Sequence, residues 1–519
     1  LGETLHTGAN EGVLSFALGA KSKDQDCTSW SNNSKKSEIK KSKFLQSMKK
    51  RALKTYFNFK FTIRTNIIIG ALLCLVNTGK ANNLRDNINV ETKTNTEACT
   101  TKNLNINTEG ESEASEFHKW FCDSTLRIDY TFAGNASRQH IYVDKLNLMP
   151  RWHGKHNHLE ELPVEGNGQI TVHDHKTKRI IYRNSFSTLF QEWLTYDEAK
   201  TTDRSFENVF LVPMPKDTVD VTIDLRSNRR EVTTTLTHTV VPSDILIRHI
   251  GFSNVTPYTT LVQAADTSRC INIAFLAEGY TKSEMTTFIK DAKAATEALF
   301  AHEPFKSMKD RFNVVAVEAS SMESGTSEPS KGIWRNTALG SHFDTFYSDR
   351  YLTTLNLKAM HDLLAGTPYE HIIVLVNTSE YGGGGILNSY NLAMAHHPMF
   401  KPVVVHEFGH SFAGLGDEYA YEQEAIPMYP HDVEPWEPNL TTLTQFGRKW
   451  QDMIDSNTPV PTPDTKRYAQ KVGVFEGAGY SLKGVYRPTH DCRMRSNQTP
   501  DFCPVCQRAL RKLIEFYTK

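Results

Sequence analysis

The stretch VVVHEFGHSFAGLGDEY, residues 403–419, places two imidazoles and three carboxylates within one short run. His406 and His410 are spaced i, i+4, so on a helix both rings leave one face and can reach a single ion. Glu407, beside the first imidazole, can take a proton from a metal-activated water without being a ligand itself. A zinc ion held by three protein ligands keeps one position for water and lowers the pKa of that water to about 7. With Glu407 as general base, the chemistry of such a site is hydrolysis of an amide: attack on a polarised carbonyl, with the proton returned to the leaving amine. The third ligand must come from further along. In the spacing HExxHxxGxxH the helix ends at the glycine and the chain turns back to a third His. Here those two positions are Ala413 and Gly416, whereas Gly414 and Asp417 each fall one residue later. A turn at Gly414 swings Asp417 toward the ion. Glu418 is the rival, and the glycine-to-ligand spacing favours Asp417.

HEFGHSFAGLGDEY, taken with YRPTHDCRMRSN downstream, resembles the IgA-peptidase family of metzincin-like zinc metallopeptidases, which are secreted bacterial enzymes. The likeness spans about 115–519. It implies His406, His410 and Asp417 as ligands of one catalytic Zn2+ and Glu407 as general base. It also implies a methionine beneath the metal, for which Met494 is the matching residue. Position 496 is Ser, so the tyrosine that follows two residues after that methionine in metzincins is missing.

Elements must position these groups. Pro402 suits a helix start and Val403–Leu415 fits about three turns, with Val404, Val405, Phe408 and Phe412 able to bury its other sides. Upstream, CINIAFLAEGY, RFNVVAVEAS and EHIIVLVNTS are short apolar runs closed by turn residues, which indicates buried strands. Thr281 and Glu284 form a capping box ahead of an amphipathic helix to about Ala301. Strand, helix, strand, helix, strand predicts a parallel or mixed sheet with covering helices. Gly382–Gly385 is not followed by Gly-Lys-Ser/Thr and is no phosphate loop. It suits a sharp turn into an edge strand over Ser389–Ala395, able to pair with an extended substrate. From about 116 to 255 the text alternates with period two and is rich in Thr, Val and Ile, which predicts a β-sandwich of roughly seven strands.

The expected fold is therefore multidomain: an N-terminal all-β sandwich, 115–260, followed by an α/β metzincin-like zinc metallopeptidase domain, 261–519. Residues 1–81 hold fourteen Lys/Arg against five Asp/Glu, so the rest of the chain carries −9 and is no nucleic-acid binder by bulk charge. That basic excess leads into the apolar run Ile67–Val76 and the small-residue exit Gly79-Lys80-Ala81, the pattern of a signal peptide over 48–81. The run is too short to be a stable membrane span. Residues 1–47 read as a non-native or disordered upstream segment and 82–114 as a disordered leader. The expectation is an exported chain, secreted, periplasmic or on the cell surface, acting on a protein or glycoprotein. Oligomeric state leaves no signature in the sequence.

Export would permit disulfides, and Cys492 is expected to bridge Cys503 or Cys506. The alternative for that cluster is a structural zinc on the three cysteines and His490. For the whole chain, two alternatives to an endopeptidase stand. One is an exported adhesion or glycan-binding protein with a vestigial metal domain, against which the intact Glu407 argues; the other is a zinc amidase.

Overall fold

A computed structural model describes residues 116–421 and 429–519; the expected signal peptide and leader lie outside them. The described chain is mostly β-sheet with few helices. Two four-stranded sheets come first. One has the order β5-β1-β2-β8, with β1 Phe121–Asn135, β2 Arg138–Met149, β5 Arg204–Pro215 and β8 Arg248–His249. The other has the order β4-β3-β6-β7, with β3 Gly168–Asp174, β4 Ile180–Phe186, β6 Val219–Arg226 and β7 Val232–Val240. The alternation in β6, VDVTIDLR, places Val219, Val221, Ile223 and Leu225 inward and leaves Thr222, Asp224 and Arg226 half-buried. Aromatic rings join the two sheets: Phe186 of β4 lies 4.2 Å from Phe210 of β5, centroid to centroid.

A six-stranded sheet follows, in the order β13-β14-β12-β10-β11-β9. Its centre is β10 Ile271–Glu278, parallel to β11 Phe312–Val317 and to β12 His371–Val376, with β14 Tyr390–Met394 parallel to β12. Edge strands β9 Tyr258–Val262 and β13 Gly383–Ile386 run antiparallel to their neighbours. Every residue of β10 and β12 is buried, as continuous apolar runs require when both faces are covered. The period of two divides them cleanly. Ala274, Leu276, Ile372, Val374 and Val376 join the core shared with the sandwich and helix α2 (Leu357–Leu364). Ile271, Ile273, Phe275, Ala277, Ile373 and Leu375 join the core beneath α1 (Met285–Leu299), α3 (Phe400–Ala413) and α4 (Pro504–Thr518). The sheet thus carries the sandwich on one face and the motif helix on the other.

The Thr281–Glu284 capping box is present, Thr281 N–H donating to Glu284 Oε2 at 2.8 Å. The expected edge strand over 389–395 is corrected. Tyr390–Met394 lies inside the sheet, because the glycines fold back as β13 and cover it. Part of the edge of β13 is itself engaged, Leu352 N–H reaching Gly383 O at 3.4 Å and Gly383 N–H reaching Arg350 O at 3.3 Å. A last hairpin, β15 Phe475–Ala478 and β16 Ser481–Arg487, reaches over the motif segment. Among the described residues, no helix is long and apolar enough to cross a membrane.

Candidate metal centre

Helix α3 stops where a residue without a Cβ allows it to. Gly414 adopts a left-handed conformation, φ +60°, its N–H capping His410 O at 2.9 Å while Leu415 N–H reaches Gly409 O at 3.2 Å. The turn brings Asp417 back onto the face that carries His406 and His410. His406 Nε2 and His410 Nε2 are 3.1 Å apart, and Asp417 Oδ1 lies 3.1 Å and 3.3 Å from them.

Hydrogen bonding on the far side of each ring fixes what those atoms offer. His406 Nδ1 is 3.0 Å from Arg493 O, and His410 Nδ1 is 2.5 Å from Leu415 O. A carbonyl has no proton to give, so each Nδ1 carries the hydrogen and each ring, in its neutral form, turns a lone pair inward at Nε2. Asp417 Oδ1, buried, has no hydrogen-bond donor. Three lone-pair donors therefore converge on one point. Their separations match the edges, about 3.3 Å, of a tetrahedron with metal–ligand bonds of about 2.0 Å. The residues fit a divalent metal. Burial opposes charge on His410, yet Asp417 beside it raises its pKa to about 9, so a metal bound here would displace a proton from Nε2. Burial likewise opposes charge on Asp417, and the imidazoles hold its carboxyl well below the usual carboxylate range.

Glu407 is partly buried and stands against the glycine strand; a Cβ built at Gly383 would come 2.7 Å from its Oε1. Burial pushes its carboxyl above the ordinary value, partly offset by the two imidazoles. Met494 is fully buried, its sulfur 2.8 Å from where a Cβ on Gly409 would sit. Glu418 turns away from the three donors. Its Oε1 accepts from Asn439 Nδ2 at 2.9 Å and lies 3.2 Å from Cys506 Sγ. Burial and the neighbouring Cys503 push the Glu418 carboxyl up to about 8. The expected disulfide is corrected as well, for Cys492, Cys503 and Cys506 are all free. His490 stands apart from them and pairs with Asp464.

Two tyrosines at the site carry no sequence signal. Tyr480 OH donates to Asp417 Oδ2 from the tip of the β15–β16 hairpin, where Gly479 (φ +56°) and Tyr480 (φ +66°) form the turn. Gly479 N–H also holds Asp417 O at 2.9 Å and Tyr480 N–H holds Tyr419 O at 3.0 Å. Tyr419 packs beside Tyr480, ring centroids 5.4 Å apart, and its phenol also engages Asp417. No tyrosine follows two residues after Met494, and the tyrosines at Asp417 come from other segments.

The IgA Peptidase M64 family matches residues 259–468 and 464–514, which span the six-stranded sheet, α3 and the segments that complete the site. The Peptidase M64 N-terminus family matches residues 116–237, most of the sandwich. No curated protein matches the chain. The chain belongs to the IgA peptidase M64 family and is a metallopeptidase, a hydrolase of peptide bonds.

Proposed function

We propose that the chain is an exported, zinc-dependent endopeptidase with a metzincin-like catalytic domain, in which His406, His410 and Asp417 hold one Zn2+ and Glu407 is the general base. The observation that carries this reading is the convergence of two inward Nε2 lone pairs and an undonated, buried Asp417 oxygen, next to a carboxylate that is no part of the cluster. Bound zinc would supply Lewis acidity toward the substrate carbonyl and toward water. Asp417 is the ligand chosen over Glu418 because Glu418 faces the cysteines. Glu407 takes the proton of the attacking water and delivers it to the leaving amine. Burial raises its pKa, which makes it a stronger base toward the water than an exposed carboxylate. Arg493 O and Leu415 O keep the imidazoles turned toward the ion, and Tyr480 keeps Asp417 in place. A protein substrate follows from the family; glycoprotein is the narrower proposal. Export rests on the basic lead and apolar run before Ala81, and N-terminal sequencing of the mature product, with a start near Asn82, tests it.

Glu407→Gln keeps the shape and removes the base. It should retain zinc and lose cleavage of an unstructured protein by at least 10²–10⁴-fold, the usual worth of a general base. Cleavage at the wild-type rate would remove Glu407 from the reaction.

A further inference from the structure

Asp417 faces one cluster of donors and the next residue, Glu418, faces another. Glu418, Cys492 and Cys506 are fully buried and Cys503 nearly so. One ligand atom from each of the four lies within 4.8 Å of the others. Cys492 Sγ and Cys506 Sγ are 3.7 Å apart. A disulfide requires about 2.0 Å, whereas a tetrahedron with zinc–sulfur bonds of about 2.3 Å has edges of about 3.8 Å. Cys506 Sγ is 3.2 Å from Glu418 Oε1, and Glu418 Oε2 has no hydrogen-bond partner. A buried carboxylate with an unmet oxygen, set among three thiols, is costly unless it holds a proton or a cation lies between them.

The backbone is arranged for thiolates. Cys503 is the N-cap of α4 with Pro504 behind it, and its sulfur accepts Cys506 N–H at 3.5 Å. Cys492 Sγ accepts Cys503 N–H at 3.3 Å. These N–H···S contacts, the positive end of α4 and Asn439 on Glu418 offset the surplus negative charge of three thiolates and a carboxylate around a divalent ion.

We propose that Glu418, Cys492, Cys503 and Cys506 form a second metal site, closed to water, that holds a structural Zn2+. Thiolates select zinc over harder divalent cations. The connections of this site give it a purpose. Cys492 is followed by Arg493, whose carbonyl orients His406, and by Met494, whose carbonyl accepts Glu418 N–H at 2.9 Å. Glu418 follows Asp417. One ion would therefore bind the end of the motif loop, the Met494 segment and the start of α4 into one unit beneath the first site.

The proposal is independent of the catalytic reading, and metal counting separates the two. The full chain is purified from zinc-supplemented medium as wild type and as His410→Ala, and zinc is measured per chain. Two equivalents are expected in wild type and one in His410→Ala. Cobalt exchanged into His410→Ala should give thiolate-to-cobalt charge-transfer absorption, and a mercurial reagent should release the remaining ion. Cys503→Ser can unfold the chain, so His410→Ala carries the test. One zinc in wild type and none in His410→Ala would overturn the second site and leave the first standing. So would a disulfide between any two of these three cysteines in denatured, unreduced wild type.

Discussion

Tyr480 holds a left-handed backbone, φ +66°, which costs a side-chain-bearing residue about 1–2 kcal/mol. The turn position is kept by tyrosine, and its hydroxyl reaches Asp417. Removing that hydroxyl in Tyr480→Phe should leave the fold intact and weaken zinc binding by roughly 10–100-fold, as lost outer-sphere partners of metal ligands do. Competition with a chelator measures it, and unchanged affinity would reduce Tyr480 to packing. At this scale the sequence is uneven in what it discloses. His406, Glu407 and His410 are legible because a helix puts i and i+4 together, and the displaced glycine points to Asp417. Tyr480 is not legible, being 63 residues from Asp417 on a separate hairpin. Glu418 and the cysteines mislead for a different reason. Exported chains favour disulfides as a class, and only the fold places a carboxylate among those sulfurs.

The glycine strand and the motif helix depend on each other as elements. A Cβ at Gly385 would lie 2.5 Å from Glu407 O and 3.0 Å from His410 Cβ, both fixed to α3. Gly385→Ala should therefore push β13 and α3 apart, at about 1–3 kcal/mol by analogy with overpacked cores. The expected result is a lowered Tm with far-ultraviolet circular dichroism retained, and a loss of cleavage larger than the loss of stability explains. Full activity would show that the strand can shift without disturbing α3. The central strands β10, β11 and β12 are legible as apolar runs, since burial on both faces removes alternation. The register of Gly382–Ala395 is not. Four glycines carry no side-chain pattern, and their pairing as the outer strand depends on the close approach of α3. In α4, Cys506, Leu510, Ile514 and Tyr517 are buried with Val505 and Leu513, while Ala509 and Phe516 stay partly buried.

Across the described residues, the six-stranded sheet is covered by the sandwich on one face and by the motif helix on the other, and charged links from the sandwich to α2, among them Arg127 and Lys358, cross the first of these interfaces. Arg127 of β1, 1 % exposed, contacts Asp129 at 2.7 Å, Asp362 of α2 at 2.7 Å and Lys358 O at 3.0 Å. Arg127→Ala would leave Asp129, 2 % exposed, as a buried charge without its partner, at about 3–5 kcal/mol. Calorimetry should show a large fall in Tm with sandwich and sheet still unfolding together, because they share one core. Two separated transitions would contradict that. The sandwich is legible from period-two text, but its packing on the sheet is not, since a buried strand does not say what covers it. The central claim concerns one point in space. Diffraction from crystals of the wild-type protein at the zinc absorption edge tests it most directly. The account predicts an anomalous peak within bonding distance of His406 Nε2, His410 Nε2 and an Asp417 carboxylate oxygen. A zinc-replete crystal with no peak there would contradict it.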